Sequence, residues 1–460
     1  MSPHEECPYQ DGRVVIDPAF KADAPARYAR LREFGPIHPA EFHLGLKGWV
    51  IVGHDLAREA LTHPALLKDA TPAADALAAA GYVLNKPSVG LGAQMMEADP
   101  PEHTRLRRLA SAAFTPCRTA ELAPRIEQIA HDLIDALPPA GEADLVEAFN
   151  APLPATVIAE LLGIPEEHHL DFRRWSAHAL RVASPEHRPA LAGLHGLLAD
   201  LVADKRRRPQ DDLSALVALR DEEDGGLTEE ELVGTAMMLV VAGHESTVNL
   251  LGNAVLTLLQ HPDQLRLLRE RPELMPGAVE EFLRYDTSVE RSTSRYAAQD
   301  IELGGLPIPR GSMIVVALGA AGRDAPQAED DDPAALDVTR PGARHLAFGH
   351  GIHYCLGAPL ARLETTIACA RCSPAFPNWN SPPRRTPWSG SAPASSAACC
   401  PFRCATASAD ARNVPARAVK ARAGTEQKGY GRQTVRVRSW RAFQPSRPAW
   451  TMKNTPPPVA

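Results

Sequence analysis

No stretch of roughly 18 apolar residues occurs anywhere in the sequence, and no charged-then-apolar leader precedes Asp11. Both absences lead us to expect a soluble, cytoplasmic chain with no membrane association. Metal-ligand pairs are also scarce. His350, His353 and Cys355 stand together, but no second Cys/His pair in the body of the chain completes the four ligands of a closed zinc site. No G-x-G-x-x-G follows a strand-like segment, so the usual flavin or nicotinamide fingerprint is missing. Acids are rare in one region only. From Ala368 to Ala460, 15 Lys+Arg face just Asp410 and Glu426, which leaves residues 1–367 with 34 Lys+Arg against 54 Asp+Glu, a net of −20 behind the overall −7. An acidic body argues against nucleic acid as a partner.

At 460 residues and 44% hydrophobic content the chain can bury a large core. Helical periodicity runs almost unbroken from about Pro25 to Gln260, which predicts one large, mainly α domain. Near the N-terminus, Val14–Ile16 and Trp49–Gly53 read as strands, with helices over Ala26–Phe34 and His54–Thr62, so a small β-rich subdomain is expected there. Gly81–Glu97 has no period and reads as a long loop. Leu122–Leu137, Ala155–Leu162, Leu170–Leu180 and Leu191–Lys205 follow as helices, the last closed by Lys205–Arg208, whose charges suit a helix C-terminus. Ile301–Leu306 and Met313–Ala317 read as strands around a Pro309-Arg310-Gly311 turn.

Thr228-x-x-Glu231 is a capping box opening a run that ends at His261-Pro262. About 33 residues at 1.5 Å each span roughly 50 Å, the width of a whole domain. Met237–Ala242 is apolar on every face and reads as buried. Then comes Ala242-Gly243-His244-Glu245-Ser246-Thr247, an expensive sequence for a helix interior. A small residue beside an acid and two hydroxyls makes room for a small ligand and a proton relay. The alternative is that both hydroxyls bond back to carbonyls of the preceding turn.

The strongest local signal is Phe348-Gly349-His350-Gly351-Ile352-His353-Tyr354-Cys355-Leu356-Gly357. Good helix formers follow Cys355, so its sulfur lies at or near a helix N-terminus, where the dipole favours a thiolate. Gly349 and Gly351 permit a tight reversal, and Gly357 lets backbone approach a flat ligand. An inert buried cysteine is the competing reading. Elsewhere, His103 and Arg107 follow Asp99-Pro100-Pro101 four residues apart and can reach one anion, unless they belong to a solvated basic face. Glu281 and Arg284 are spaced as an i,i+3 ion pair.

In these segments the sequence resembles the cytochrome P-450 monooxygenases. Phe348–Gly357 matches the haem loop F-G-x-G-x-H-x-C-x-G, Asp99–Arg107 the segment D-P-P-x-H-x-x-x-R, Ala242–Thr247 the motif A-G-x-[DE]-T-T, and Glu281–Arg284 the E-x-x-R helix. The resemblance covers roughly residues 10–367. It implies a mainly α cytochrome P-450 fold and haem b, with iron ligated axially by Cys355. Phe348, Gly349, His353 and Gly357 would shape the haem loop. His103, Arg107 and Arg295, with Arg291 as a second candidate, would hold the haem propionates. Ala242 and Gly243 would leave space for O2, with Glu245 and Ser246 as acid and hydroxyl of the proton relay. Ser246 replaces the family's first threonine, and Thr247 is a substitute hydroxyl. Glu281 and Arg284 would support the haem loop from behind, and the loop 81–97 and the segment 170–191 would cover the substrate.

By the same resemblance the reaction is insertion of one oxygen atom from O2 into a C–H or C=C bond of an apolar small molecule, such as a polyketide or macrolide. Electrons would come from a ferredoxin and ferredoxin reductase, and the chain would act as a monomer. A peroxide-driven haem-thiolate enzyme is a further reading, against which the intact acid-hydroxyl pair weighs.

Residues 368–460 break the pattern. The stretch is rich in Pro, Ser, Arg and Ala, holds five of the eight cysteines, and has no sustained period. Read one base earlier, Asn378-Trp379-Asn380 forces Leu-Glu and Cys399-Cys400 forces Leu. The recovered text can run L-R-A-L-L-A-R-V-P-E-L-E-L, the way such a family member ends. A one-base frameshift close to Ile367 is expected, with a largely disordered tail after it. The alternative function is then a non-catalytic product of a frameshifted gene.

Overall fold

The computed structural model describes residues 9–375, apart from residues 10, 43–44, 80–92, 112–113, 138–140, 180–183, 209–225 and 326–331, together with residues 434–437. Most of the described chain is helical. The helices that carry or brace the site are α1 (His54–Thr62), α2 (Glu102–Ser111), α3 (Ala123–Asp135), α4 (Pro152–Leu162), α5 (His169–Ala179), α6 (His187–Arg207), α7 (Glu229–Gln260), α8 (Met275–Tyr285) and α9 (Ala358–Ala375).

The long helix α7 starts as its sequence predicts. The Thr228 hydroxyl accepts from the Glu231 backbone N–H, and the Glu231 carboxylate accepts from the Thr228 N–H at 2.8 Å. It lies through the main core, where Met237, Val240, Leu251 and Ala254 are almost fully enclosed. Helices α4, α5, α6, α8 and α9 all pack against it. At roughly 25 cal/mol per Å2 of apolar surface removed from water, such a helix contributes far more through its packing than through its own propensity.

The sheet is less local than the sequence suggests. Strands β1 (Val14–Val15), β2 (Ile37–Glu41), β3 (Lys47–Ile51) and β4 (Leu66–Leu67) come from the N-terminal region, but β6 (Arg295–Ala297) and β9 (Met313–Val316) complete a six-stranded sheet in the order β1-β2-β3-β9-β6-β4. Strand β9 runs parallel to β3, with Val50 opposite Val315, so the subdomain draws on both ends of the domain. The turn expected at Pro309–Gly311 is also not where the hairpin closes. β7 (Ile301–Leu303) pairs with β8 (Leu306–Ile308) around Gly304-Gly305, whose φ values of +60° and +75° suit the two-residue turn that matches strand twist.

Strand β5 (Gly141–Asp144) pairs antiparallel with β10 (Thr434–Val437), four residues of the basic tail. Helix α9 continues past Ile367 to Ala375, with Ala368, Cys369 and Cys372 buried in the core. The rest of the tail, like most of the loop 81–97 and the acidic 326–331 stretch, lies outside the described residues. No described helix is long and apolar enough to cross a membrane.

Candidate active site

Cys355 sits three residues before α9, on a loop that folds back on itself: its N–H donates to the Phe348 carbonyl at 2.9 Å. Gly349 and Gly351 have φ of +73° and +75°, the left-handed conformation that the sequence reading required of them. Burial raises the thiol pKa, while backbone N–H groups of Gly357 and Ala358 and the charges of Arg107 and Arg362 favour the thiolate. A sulfur so placed suits a soft metal. The zinc alternative has no support, because no cluster of three or more metal-ligating side chains occurs among the described residues.

Beside the loop, the His103 ring from α2 lies against that of His353, 4.2 Å between centroids and tilted by 54°. His103 is buried, and neither of its ring nitrogens has a hydrogen-bond partner among the described residues. Arg107, one turn on, donates to the Tyr354 carbonyl at 2.7 Å and so ties α2 to the cysteine loop. Arg295 is buried on β6 and makes a long 3.5 Å contact to the Leu61 carbonyl. Lys68, which the sequence reading missed, lies against Thr293 and donates to the Ser294 carbonyl at 3.3 Å. Arg291, the second arginine candidate, is buried and has its guanidinium over the Phe42 ring.

These groups form a cationic cradle. Desolvation and the neighbouring charges of Lys68, His103, Arg295 and Arg107 push His353 down to about 2. Burial, together with Arg295, holds Lys68 well below the ordinary lysine range. Burial lowers Arg295 to about 10. The nearby Asp99 is already committed to the backbone N–H groups of Lys68 and Asp69, at 2.9 to 3.0 Å. Two buried cations, Lys68 and Arg295, with Arg107 nearby and a neutral histidine whose ring nitrogens have no partner among the described residues, are what an anionic ligand such as a pair of haem propionates would satisfy. The residues fit the group.

On α7 the structure corrects one expectation. Ala242 is exposed although it lies mid-helix in the core, while Gly243, Glu245 and Ser246 are partly open and Val241, His244 and Thr247 are buried. The helix therefore borders open space at Ala242, whereas a Cβ on Gly243 would lie 2.8 Å from the Ile158 side chain of α4, so this glycine lets two helices approach and does not leave room for a ligand. Both hydroxyls bond back to the helix, Ser246 to the Ala242 carbonyl at 2.6 Å and Thr247 to the Gly243 carbonyl at 3.1 Å, as the alternative reading foresaw. Only Ser246 stands beside the opening. His244 faces away, with Nε2 3.3 Å from the Ala151 carbonyl, and burial lowers it to about 4, so it is neutral. It contributes to packing between α7 and α4 and carries no charge into the site.

Behind the loop, Glu281 and Arg284 form a fully buried bidentate pair at 2.7 Å in both contacts. The sequence reading missed its third member: Arg340 approaches the same carboxylate at 3.2 Å. The Asp337 N–H also donates to Glu281 at 2.9 Å, and Arg284 donates to the Pro333 and Ala335 carbonyls. One carboxylate thus fastens α8 to residues 333–340, the approach to the cysteine loop.

A sequence model of the cytochrome P450 family matches residues 186–376. Over 374 residues the chain is 43% identical to cytochrome P450 107B1 of Saccharopolyspora erythraea, covering 79% of this chain and 90% of that protein. It is 45% identical over 353 residues to the P450 monooxygenase PikC of Streptomyces venezuelae, covering 76% and 83%. Among solved structures, the tirandamycin C-bound P450 monooxygenase TamI superposes with a TM-score of 0.71 at 41% identity, over 79% of this chain and 92% of that one. With the fold, the thiol loop and the cationic cradle in agreement, the chain belongs to the cytochrome P450 family of haem-thiolate monooxygenases.

Proposed function

We propose that this chain inserts one oxygen atom from O2 into a C–H or C=C bond of an apolar secondary metabolite of the polyketide or macrolide class. The observation that carries the reading is a thiol supported by helix-start N–H groups and two arginines, next to the buried cations Lys68 and Arg295 and the buried His103. Cys355 would ligate the iron, with Phe348, Gly349 and Gly357 shaping its loop. Lys68, His103, Arg107, Arg295 and His353 would hold the carboxylates. Bound there, haem supplies O2 activation, the chemistry that no side chain of the protein can provide.

The protein's own part is positioning and proton supply. Ala242 borders open space along α7, and the Ser246 hydroxyl, now held by the Ala242 carbonyl, can turn from that acceptor to donate into the space. Glu245, partly exposed one turn along α7 from Ala242, can resupply its proton. Thr247 is enclosed and bonded to Gly243, so it serves less well as a substitute. Glu281 and Arg284 keep the loop in register.

The substrate class rests on relatives. Mycinamicin IV hydroxylase/epoxidase of Micromonospora griseorubida is 39% identical over 348 residues, and 6-deoxyerythronolide B hydroxylase of Saccharopolyspora erythraea is 41% identical over 372. Electrons come from a ferredoxin and its reductase. A screen of macrolactones and linear polyketides by haem spin-state change tests the class. A saturable shift with a macrolactone supports it, and shifts confined to fatty acids or steroids count against it.

A second reading, a non-catalytic product of a frameshifted gene, is favoured by one observation: the family match stops at residue 376 and the basic tail follows. Sequencing the DNA across codons 360–385 tests the shift. Haem uptake by the purified full chain tests whether it matters.

A further inference from the structure

Glu280 and Glu281 are neighbours on α8 with different partners. Glu281 is enclosed and serves residues 333–340, whereas Glu280 acts on the cysteine loop through Arg362. Its carboxylate takes a two-point contact from Arg362 of α9, Nε to Oε1 at 2.6 Å and Nη2 to Oε2 at 2.8 Å, and a third from His345 Nε2 at 3.1 Å. The Arg362 guanidinium lies 4.5 Å from the centroid of the Phe348 ring, and its Nη1 donates to the Tyr354 hydroxyl at 3.3 Å. Phe348 supplies the carbonyl that receives the Cys355 N–H, and Tyr354 directly precedes the cysteine. One arginine therefore touches both flanks of the loop, and one carboxylate holds that arginine.

Resting on the reading that Cys355 ligates the haem iron, we propose that Glu280 and Arg362 are a positioning pair that sets the electrostatic field at the Cys355 sulfur, and through it the reduction potential of the iron. Arg362 places a positive charge against Phe348 and Tyr354, on the loop that carries the sulfur, and Arg107 places another at the Tyr354 carbonyl. Glu280 both orients that charge and partly cancels it. The pair is half-buried, at 33% and 28% side-chain exposure, so solvent screens it less than a surface pair. Adding an electron to the iron is easier near an uncompensated cation and harder when the cation is removed.

The two halves of the pair therefore predict shifts of opposite sign. In the haem-loaded full chain, the potential is measured by equilibrium redox titration for wild type, Glu280→Gln, Arg362→Gln and Arg362→Lys. Glu280→Gln leaves the cation unopposed, and the potential rises. Arg362→Gln removes the cation, and the potential falls. Arg362→Lys keeps a charge without the two-point geometry and stays between wild type and Arg362→Gln. If Arg362→Gln takes up no haem, a rise in Glu280→Gln with a smaller fall in Arg362→Lys carries the same test. A purely mechanical brace predicts otherwise: Glu280→Gln and Arg362→Gln would shift together or not at all, and either result overturns the proposal. Wild type without a thiolate-type band in the reduced carbon monoxide complex would instead remove the Cys355 reading on which it rests.

Discussion

Replacing Glu281 by alanine is the sharpest test of the scaffold behind the thiol. Glu281 and Arg284 have no exposed side-chain surface, and Arg340 has 2%. The substitution removes the carboxylate that stands between the Arg284 and Arg340 guanidiniums, while bonds to the Pro333 and Ala335 carbonyls keep Arg284 where it is. A buried charge that loses its partner costs about 3–5 kcal/mol. The Asp337 N–H loses its acceptor as well, at about 1–3 kcal/mol. These effects share one site and do not simply add, so we expect about 4 kcal/mol or more, a large share of the roughly 5–15 kcal/mol of a typical domain. Urea unfolding followed by far-ultraviolet circular dichroism measures it through the midpoint and slope. The exposed Arg371–Glu127 pair is the control. Glu127→Ala should move stability by less than about 1 kcal/mol. If Glu281→Ala costs no more than that control, the buried network does not do what we assign to it.

Further expectations follow from the same geometry. Ser246→Ala should cut product formation by on the order of 10^2-fold while reductant consumption continues, with the difference appearing as peroxide; Thr247→Ala should have a much smaller effect. Arg295→Met and Lys68→Met should each weaken haem retention, read as transfer of haem to apomyoglobin, and the double variant should weaken it further. Glu364 has a folded-state pKa raised to about 8 by burial, above its unfolded value near 4.5, and no partner for Oε2 among the described residues. The folded chain therefore holds a proton that the unfolded chain releases. Stability falls as pH rises from about 4.5 to 8, by on the order of 1 kcal/mol per unit. Glu364→Gln should remove that slope, so that the variant gains on wild type at pH 8 and not at pH 4, as followed by urea midpoints.

The parts of this protein legible in its sequence are those whose physics is local. The Thr228–Glu231 capping box, the stop at His261-Pro262 and the positive-φ glycines of the cysteine loop each depend on residues a few positions apart, and the structure has all three. What escaped is long-range. Lys68 meets Thr293 across 225 positions of chain, and no periodicity announces it. Arg340 looked like any arginine before a proline until the fold brought it to Glu281. Ala242 belongs to an apolar run and reads as core, because a side-chain pattern records helix faces and not the empty space beside one of them. The hairpin at Gly304-Gly305 was readable and was outweighed by the more conspicuous Pro309–Gly311 turn.

The most direct measurement is the reduced carbon monoxide difference spectrum of the purified full chain beside its Cys355→Ala variant. The account predicts the long-wavelength band of a thiolate-ligated iron in the wild type and its loss in the variant. Wild-type protein that takes up no haem, or a variant whose band is unchanged, would contradict it.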